Sequence, residues 1–185
     1  MINYLILLER AASSHGRDYT SNAAYYVTIV TKNRVHFFGG IKNGEMVLSE
    51  IGQIANNLWY EIPIHQPNIK LDAFIIMPNH IHCIVVIDKP VGNGRREACL
   101  VPTLPTIENI KTTNISPKPE SLATIIGGYK SAITKNARKL LPQFNWQPRF
   151  YDRIIRDEHE FNRIRNYIVD NPKKWNRDGM NNNYG

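Results

Sequence analysis

Hydrophobic and polar positions follow two different periods along this chain, and the changes of period mark its elements. Residues 24–31 are aromatic and β-branched, which predicts a strand. Asn33-Arg34 predicts a turn into a short strand over 35–38 that ends at Gly39-Gly40. From Ser49-Glu50 the period changes. Ile51, Ile54, Leu58 and Ile62 recur at turn spacing, a helix that Pro63 and Pro67 close. Two strands follow, 70–77 and 80–87, broken at Pro78-Asn79, and so short a connection predicts an antiparallel hairpin. Residues 121–141 return to helical spacing and 150–156 read as a strand. Asp157-Glu158 opens a last helix, with acidic residues at its positive end, running to Asn171 before Pro172.

The predicted order is β-(β)-α-β-β-α-β-α. A mainly antiparallel sheet with helices packed on one face is the natural packing, and a ferredoxin-like α+β fold is the specific expectation. Residues 88–120 break the pattern, holding five of the 11 prolines, two close glycines and no period. They read as a flexible insertion within a single domain spanning 24–175, flanked by an N-terminal arm (1–23) and a C-terminal tail (176–185). A chain of 185 residues is long enough for one domain with a real core.

Composition adds a partner. Apolar residues make up 42% and charged residues 21%, ordinary for a globular protein, but the net charge is +7 and the pI about 9.5. The excess is concentrated: residues 121–185 carry 12 Lys and Arg against 6 Asp and Glu. An anionic partner follows, nucleic acid first and a membrane surface second, with a solvated basic helix face as the plain alternative. The two cysteines, Cys83 and Cys99, make neither a disulfide framework nor a zinc-knuckle spacing, which fits the cytoplasm. The apolar run at residues 5–8 is too short for a signal-peptide core, and no stretch approaches a membrane span.

Two groups of residues carry candidate chemistry. His80 and His82 flank Ile81 at the start of a predicted strand, so both imidazoles share one face while Ile81, Cys83 and Val85 take the other. Such a pair can hold one metal ion; taken alone, a pair of partly buried, hydrogen-bonded histidines is the stronger reading. On the last helix Tyr167 and Asn171 stand four apart, hence on one face, with Phe161, Ile164 and Ile168 as the apolar stripe that holds the helix to the sheet. Tyr167 offers an oxygen nucleophile and Asn171 a carbonyl ligand. The plain alternative is a boundary aromatic and a helix cap.

Several runs resemble the REP-associated tyrosine transposases, members of the single-tyrosine HUH transposases. Residues 74–85 (FIIMPNHIHCIV) are similar to the His-hydrophobic-His block of that family, and 146–156 (WQPRFYDRIIR) to its second block. Residues 165–172 (RNYIVDNP) resemble the nucleophile helix with its Asn-Pro end, and Tyr25–Ile29 with Asn33-Arg34 resembles the first strand. Apart from the insertion, the match spans 24–175, with the blocks in the family's order.

The resemblance implies Tyr167 as nucleophile, His80, His82 and Asn171 as ligands of a divalent metal, Mg²⁺ or Mn²⁺, and the tyrosine helix packed over the histidine face. It also implies nicking and rejoining of single-stranded or hairpin DNA through a 5′-phosphotyrosine, with no nucleotide cofactor, by a monomer or homodimer. Basic residues near the site are expected to track phosphates: Lys130, Arg149, Arg153, Arg156, Arg163 and Lys173, with Trp146 able to stack on an unpaired base. Two rivals share the scaffold, a non-catalytic DNA-binding regulator and a nickase of the replication-initiator or relaxase kind.

Overall fold

The structure, a computed structural model, describes residues 22–90 and 121–181. The expected arm at 1–23 and the insertion at 88–120 lie almost wholly outside the described residues. The elements run β1 (Ala23–Val30), β2 (Gly39–Lys42), β3 (Glu45–Leu48), α1 (Glu50–His65), β4 (Ile69–Ile76), β5 (His80–Ile87), α2 (Leu122–Leu140), β6 (Tyr151–Ile155) and α3 (Glu158–Lys174).

Four strands form one sheet in the order β4-β5-β1-β6, with each neighbouring pair antiparallel. Two β-α-β units interleave here: β1-α1-β4 is split by β5, and β5-α2-β6 is split by β1. This is the ferredoxin-like topology, and the α+β expectation holds.

Alternation divides the central strands between two cores. Tyr25, Val27 and Ile29 of β1 and Ile81, Cys83 and Val85 of β5 face α1 and α2, where Trp59, Ile126 and Ile133 complete the larger core. Ala24, Ile84, Val86 and Ile155 face the other way, onto Phe161, Ile164 and Ile168 of α3. The expectation of helices on one face therefore describes the two crossover helices, while the third covers the opposite face. Strands apolar on both sides need such a cover.

Side-chain caps fix the helix starts. Ser49 Oγ accepts from Gly52 N at 3.1 Å, and Ser121 Oγ from Thr124 N at 3.2 Å. At α3, Asp157 Oδ1 accepts from Glu160 N at 2.7 Å, and Glu160 Oε2 accepts from Arg156 N, just ahead of the cap, at 3.2 Å.

Three expected boundaries move. Residues 35–38 are not a strand; the strands are β2 and β3, a hairpin turning at Asn43-Gly44, both at positive φ (53° and 78°). Phe38 leaves the strand pattern because its side chain is drawn fully into the core against Phe144 and Trp146. The helix expected to close at Pro63 runs to His65, and the last helix passes Pro172 to Lys174 before a 3-10 turn, Trp175–Arg177. Burial of Trp175 against the rings of His36 (5.6 Å) and His80 (6.0 Å) holds that turn in place. Among the described residues no helix is long and apolar enough to cross a membrane.

Candidate active site

The start of β5 puts His80 and His82 on the α3 face, opposite Val30 and Thr28 of β1. Both imidazoles are buried, at 0% and 2% exposure. Their rings lie 4.5 Å apart between centroids. Desolvation, chiefly, lowers both pKa values to about 3, helped at His80 by the charges of Arg34 and His36 and at His82 by His80. Both rings are therefore neutral at physiological pH, the state in which imidazole is a ligand.

The Nδ1 side of each ring is occupied. His80 Nδ1 lies 2.8 Å from Asn79 Oδ1. The amide of Asn79 donates through Nδ2 to Arg34 O (3.1 Å) and Met180 O (2.8 Å), which fixes its orientation and makes His80 Nδ1 the protonated nitrogen. His80 Nε2 is then a bare lone pair. His82 Nδ1 meets Tyr26 Oη at 2.8 Å and Thr28 Oγ1 at 2.9 Å. Burial pushes the Tyr26 phenol well above its ordinary range, so it stays a neutral partner.

Both Nε2 atoms are buried with no hydrogen-bond partner among the described residues, and so are Oδ1 of Asn171 and Oδ2 of Asp178. Buried polar atoms are rarely left unpaired, and those of His80, His82 and Asp178 call for a shared partner. His80, His82 and Asp178 each offer a ligand atom within 4.8 Å of the others, so they form a group able to hold a metal ion. His80 Nε2 and Asp178 Oδ2 stand 3.7 Å apart, too far for a hydrogen bond, and the neutral ring makes no ion pair. Asp178 lies in the segment expected to be a C-terminal tail. It follows the 3-10 turn and is held beside the site by Arg34 Nη1 donating to Gly179 O (2.9 Å) and by the Asn79 bond to Met180.

Tyr167 projects from α3 over the histidine face, its ring 5.4 Å from His82 and 6.4 Å from Tyr26. It is 41% exposed and lines a cleft of about 610 Å³ together with His82, Tyr26, Arg34, Arg149 and Asp178. Asn171, one turn further along α3, lines the adjoining groove with Tyr167, Asp178 and Lys174.

The expected phosphate-binding residues divide. Arg149 is exposed, lies in the cleft beside Tyr167, and holds a left-handed φ of 64°, unusual for a residue with a Cβ. Arg156 is exposed. Arg153 pairs with Glu160 at 2.6 Å, with Arg163 3.9 Å from the same oxygen, and Lys173 lies 3.6 Å from Asp170. Lys130 is half-buried and donates to the carbonyls of Gln147 (3.0 Å) and Arg149 (2.8 Å), so it holds the loop that presents Arg149. Trp146 is a core residue. It is buried at 8% exposure beside Phe38 and Phe144, and its Nε1 donates to Thr134 Oγ1 at 3.1 Å.

An uncharacterized protein of Haemophilus influenzae is 34% identical to this chain over 166 residues, covering 88% of the chain and 87% of the relative. This chain belongs to that protein's family. No family model matches the sequence. The solved structure of a REP-associated tyrosine transposase bound to a REP hairpin superimposes with a TM-score of 0.55 at 18% identity, over 88% of this chain and 73% of the other. The fold is that of a REP-associated tyrosine transposase. On that transposase fold, Asp178 and Asn79 are the site residues that sequence reasoning missed. Asn79 had a signal, standing directly before the histidine pair. Asp178 had none beyond being the sole carboxylate after Asp170.

Proposed function

We propose that this protein is a metal-dependent DNA transposase that nicks and rejoins single-stranded DNA through a covalent bond to Tyr167. The observation that carries the reading is the position of Tyr167, solvent-reachable and 5.4 Å in ring separation from a neutral histidine whose Nε2 has no partner among the described residues. His80 Nε2, His82 Nε2 and Asn171 Oδ1 would hold a divalent ion, with the Asp178 carboxylate as a further ligand; this mixed nitrogen and oxygen set suits Mn²⁺ or Mg²⁺. When bound, the ion supplies neutralisation of charge developing on a phosphate oxygen.

The chain's own groups do the rest. Arg149, from its strained loop, neutralises and orients the scissile phosphate in the cleft. The Tyr167 oxygen attacks phosphorus, a tyrosyl phosphate ester forms, and the bond to the 3′ oxygen breaks. The phenol proton passes to solvent, and the departing oxygen takes up a proton as a 3′-hydroxyl. Attack by a 3′-hydroxyl on the tyrosyl ester reverses the exchange and rejoins the strand. One ester is traded for another, so no nucleotide is consumed. Hairpin or repeat-element DNA is the substrate class, since the solved relative in fold was captured on a REP hairpin.

The test is incubation with end-labelled, hairpin-bearing single-stranded DNA and Mn²⁺, followed by denaturing electrophoresis. A covalent protein–DNA band that is lost in Tyr167→Phe and in chelator is expected. Cleavage that survives Tyr167→Phe would sink the tyrosine mechanism. Tight binding with no covalent band would leave a DNA-binding regulator.

A further inference from the structure

A second, larger cleft of about 1020 Å³ lies outside the metal site. It is bounded by α2 on one side and by the turn after β1 and the 145–150 loop on the other. Its lining includes Lys32, Lys130, Lys135 and Arg138 and, among the described residues, contains no carboxylate. Lys32, Lys135 and Arg138 are exposed. The floor follows from the sequence of α2. Ala123, Gly127, Ser131 and Lys135 recur every four residues and so share one face, where the small side chains leave a groove. A Cβ built on Gly127 meets nothing within 4 Å.

The two clefts adjoin. Gln147, Pro148 and Phe150 line both, so residues 147–150 form the wall between them, with Arg149 on the Tyr167 side. Lys130 secures that wall from the α2 side through its bonds to Gln147 O and Arg149 O. From Gly127 to Arg138 the groove follows about 16 Å of helix, room for up to about five phosphates at duplex spacing.

We propose that this basic groove is a track for single-stranded DNA, gripping the backbone of the strand whose continuation crosses the 147–150 wall to Tyr167. The occupant is set by charge: a groove lined by four cations and, among the described residues, no anion takes a polyanion. The adjoining Tyr167 cleft, proposed above to take single-stranded DNA, makes a lone strand that polyanion. The inference rests on the DNA-processing reading above, and it assigns that reading a second, non-catalytic binding surface.

Adjacent glycines make the test. Gly127 faces the track, whereas Gly128 lines a separate groove against α1 with Leu58 and Ile62, and a Cβ there also meets open space. Gly127→Glu and Gly128→Glu change the net charge equally, and each replaces a helical glycine by a better helix former. Binding of a fluorescein-labelled oligothymidine is followed by anisotropy over a salt series, in chelator, so that no chemistry intervenes. Gly127→Glu is expected to weaken binding about tenfold, since a like charge then faces the phosphates, while Gly128→Glu binds as the parent does. Lys32→Gln/Lys135→Gln is expected to reduce the slope of log affinity against log salt by roughly 0.7 for each phosphate that is no longer neutralised. Equal loss in both glutamate variants, an unchanged slope, or no binding of the parent chain overturns the track. Covalent capture by Tyr167 is scored separately. A chain that forms the adduct but shows no Gly127-specific loss keeps its chemistry and loses the track.

Discussion

Asn79 looks like a turn residue in the sequence and is fully buried in the fold, so its replacement separates two roles. Asn79→Ala removes the acceptor for His80 Nδ1 and both donors, to Arg34 O and Met180 O. The two carbonyls belong to partly exposed residues that water can reach, so each loss costs about 1 kcal/mol; the buried His80 N–H has no such recourse and costs about 1–3 kcal/mol. The sum, roughly 3–5 kcal/mol, lowers the melting temperature by about 10 °C for a domain of this size. With His80 as a metal ligand, as proposed, loss of the partner that orients its imidazole is also expected to weaken metal binding about 10–100-fold. Asn79→Asp keeps an acceptor toward His80 and discards both donors, so it restores metal affinity more than stability. Melting by circular dichroism and Mn²⁺ titration by calorimetry read the two effects. An Asn79→Ala protein that melts within about 2 °C of the parent and binds Mn²⁺ equally well would refute the orienting role.

Acid destabilises the metal-free protein in a defined window. Both histidines have folded pKa values near 3, below the unfolded value near 6.5, so their contribution is complete above pH 6.5 and is lost as pH falls toward 3. Each adds a slope of up to about 1.4 kcal/mol per pH unit in that window, which urea titrations at stepped pH measure, and His82→Asn should flatten it. Arg165 holds Asp72 through two bonds, 2.8 and 2.6 Å, and lies 4.8 Å over the Phe161 ring, so Arg165→Ala should cost about 2–3 kcal/mol in a melt. Arg149→Ala, by contrast, relieves a left-handed residue of little packing and should lower DNA affinity with almost no change in melting temperature.

The parts of this molecule that are periodic were legible from its residues. The His80–His82 pair falls on the predicted face because strand alternation is a local rule, and Phe161, Ile164 and Ile168 bury as their spacing requires. The order of strands followed from the order of elements. What escaped depends on distant partners. Trp146 packs into the core beside Phe38 and Phe144, a burial that its place next to Arg149 in the sequence does not announce. Asp178 becomes a ligand candidate only because Trp175 buries itself against His80 and turns the chain back under the site. Phe38 leaves its expected strand for a core assembled from residues about a hundred positions away.

The division of the core has a consequence for motion. The histidines stand on β5, the strand buried on both faces between two neighbours, whereas Tyr167 rides on α3, which is held by the smaller apolar cluster and by the Arg165–Asp72 clasp. Native-state opening free energies scale with buried apolar contact, so α3 belongs to a less protected cooperative unit than the sheet. In native-state hydrogen exchange the amides of α3 are expected to open before those of β5, which carries the imidazole pair. In the strand exchange proposed above, an enzyme that must hold a cleaved end and later present it to a different acceptor would gain from that asymmetry: a rigid anvil and a hammer on the less protected unit.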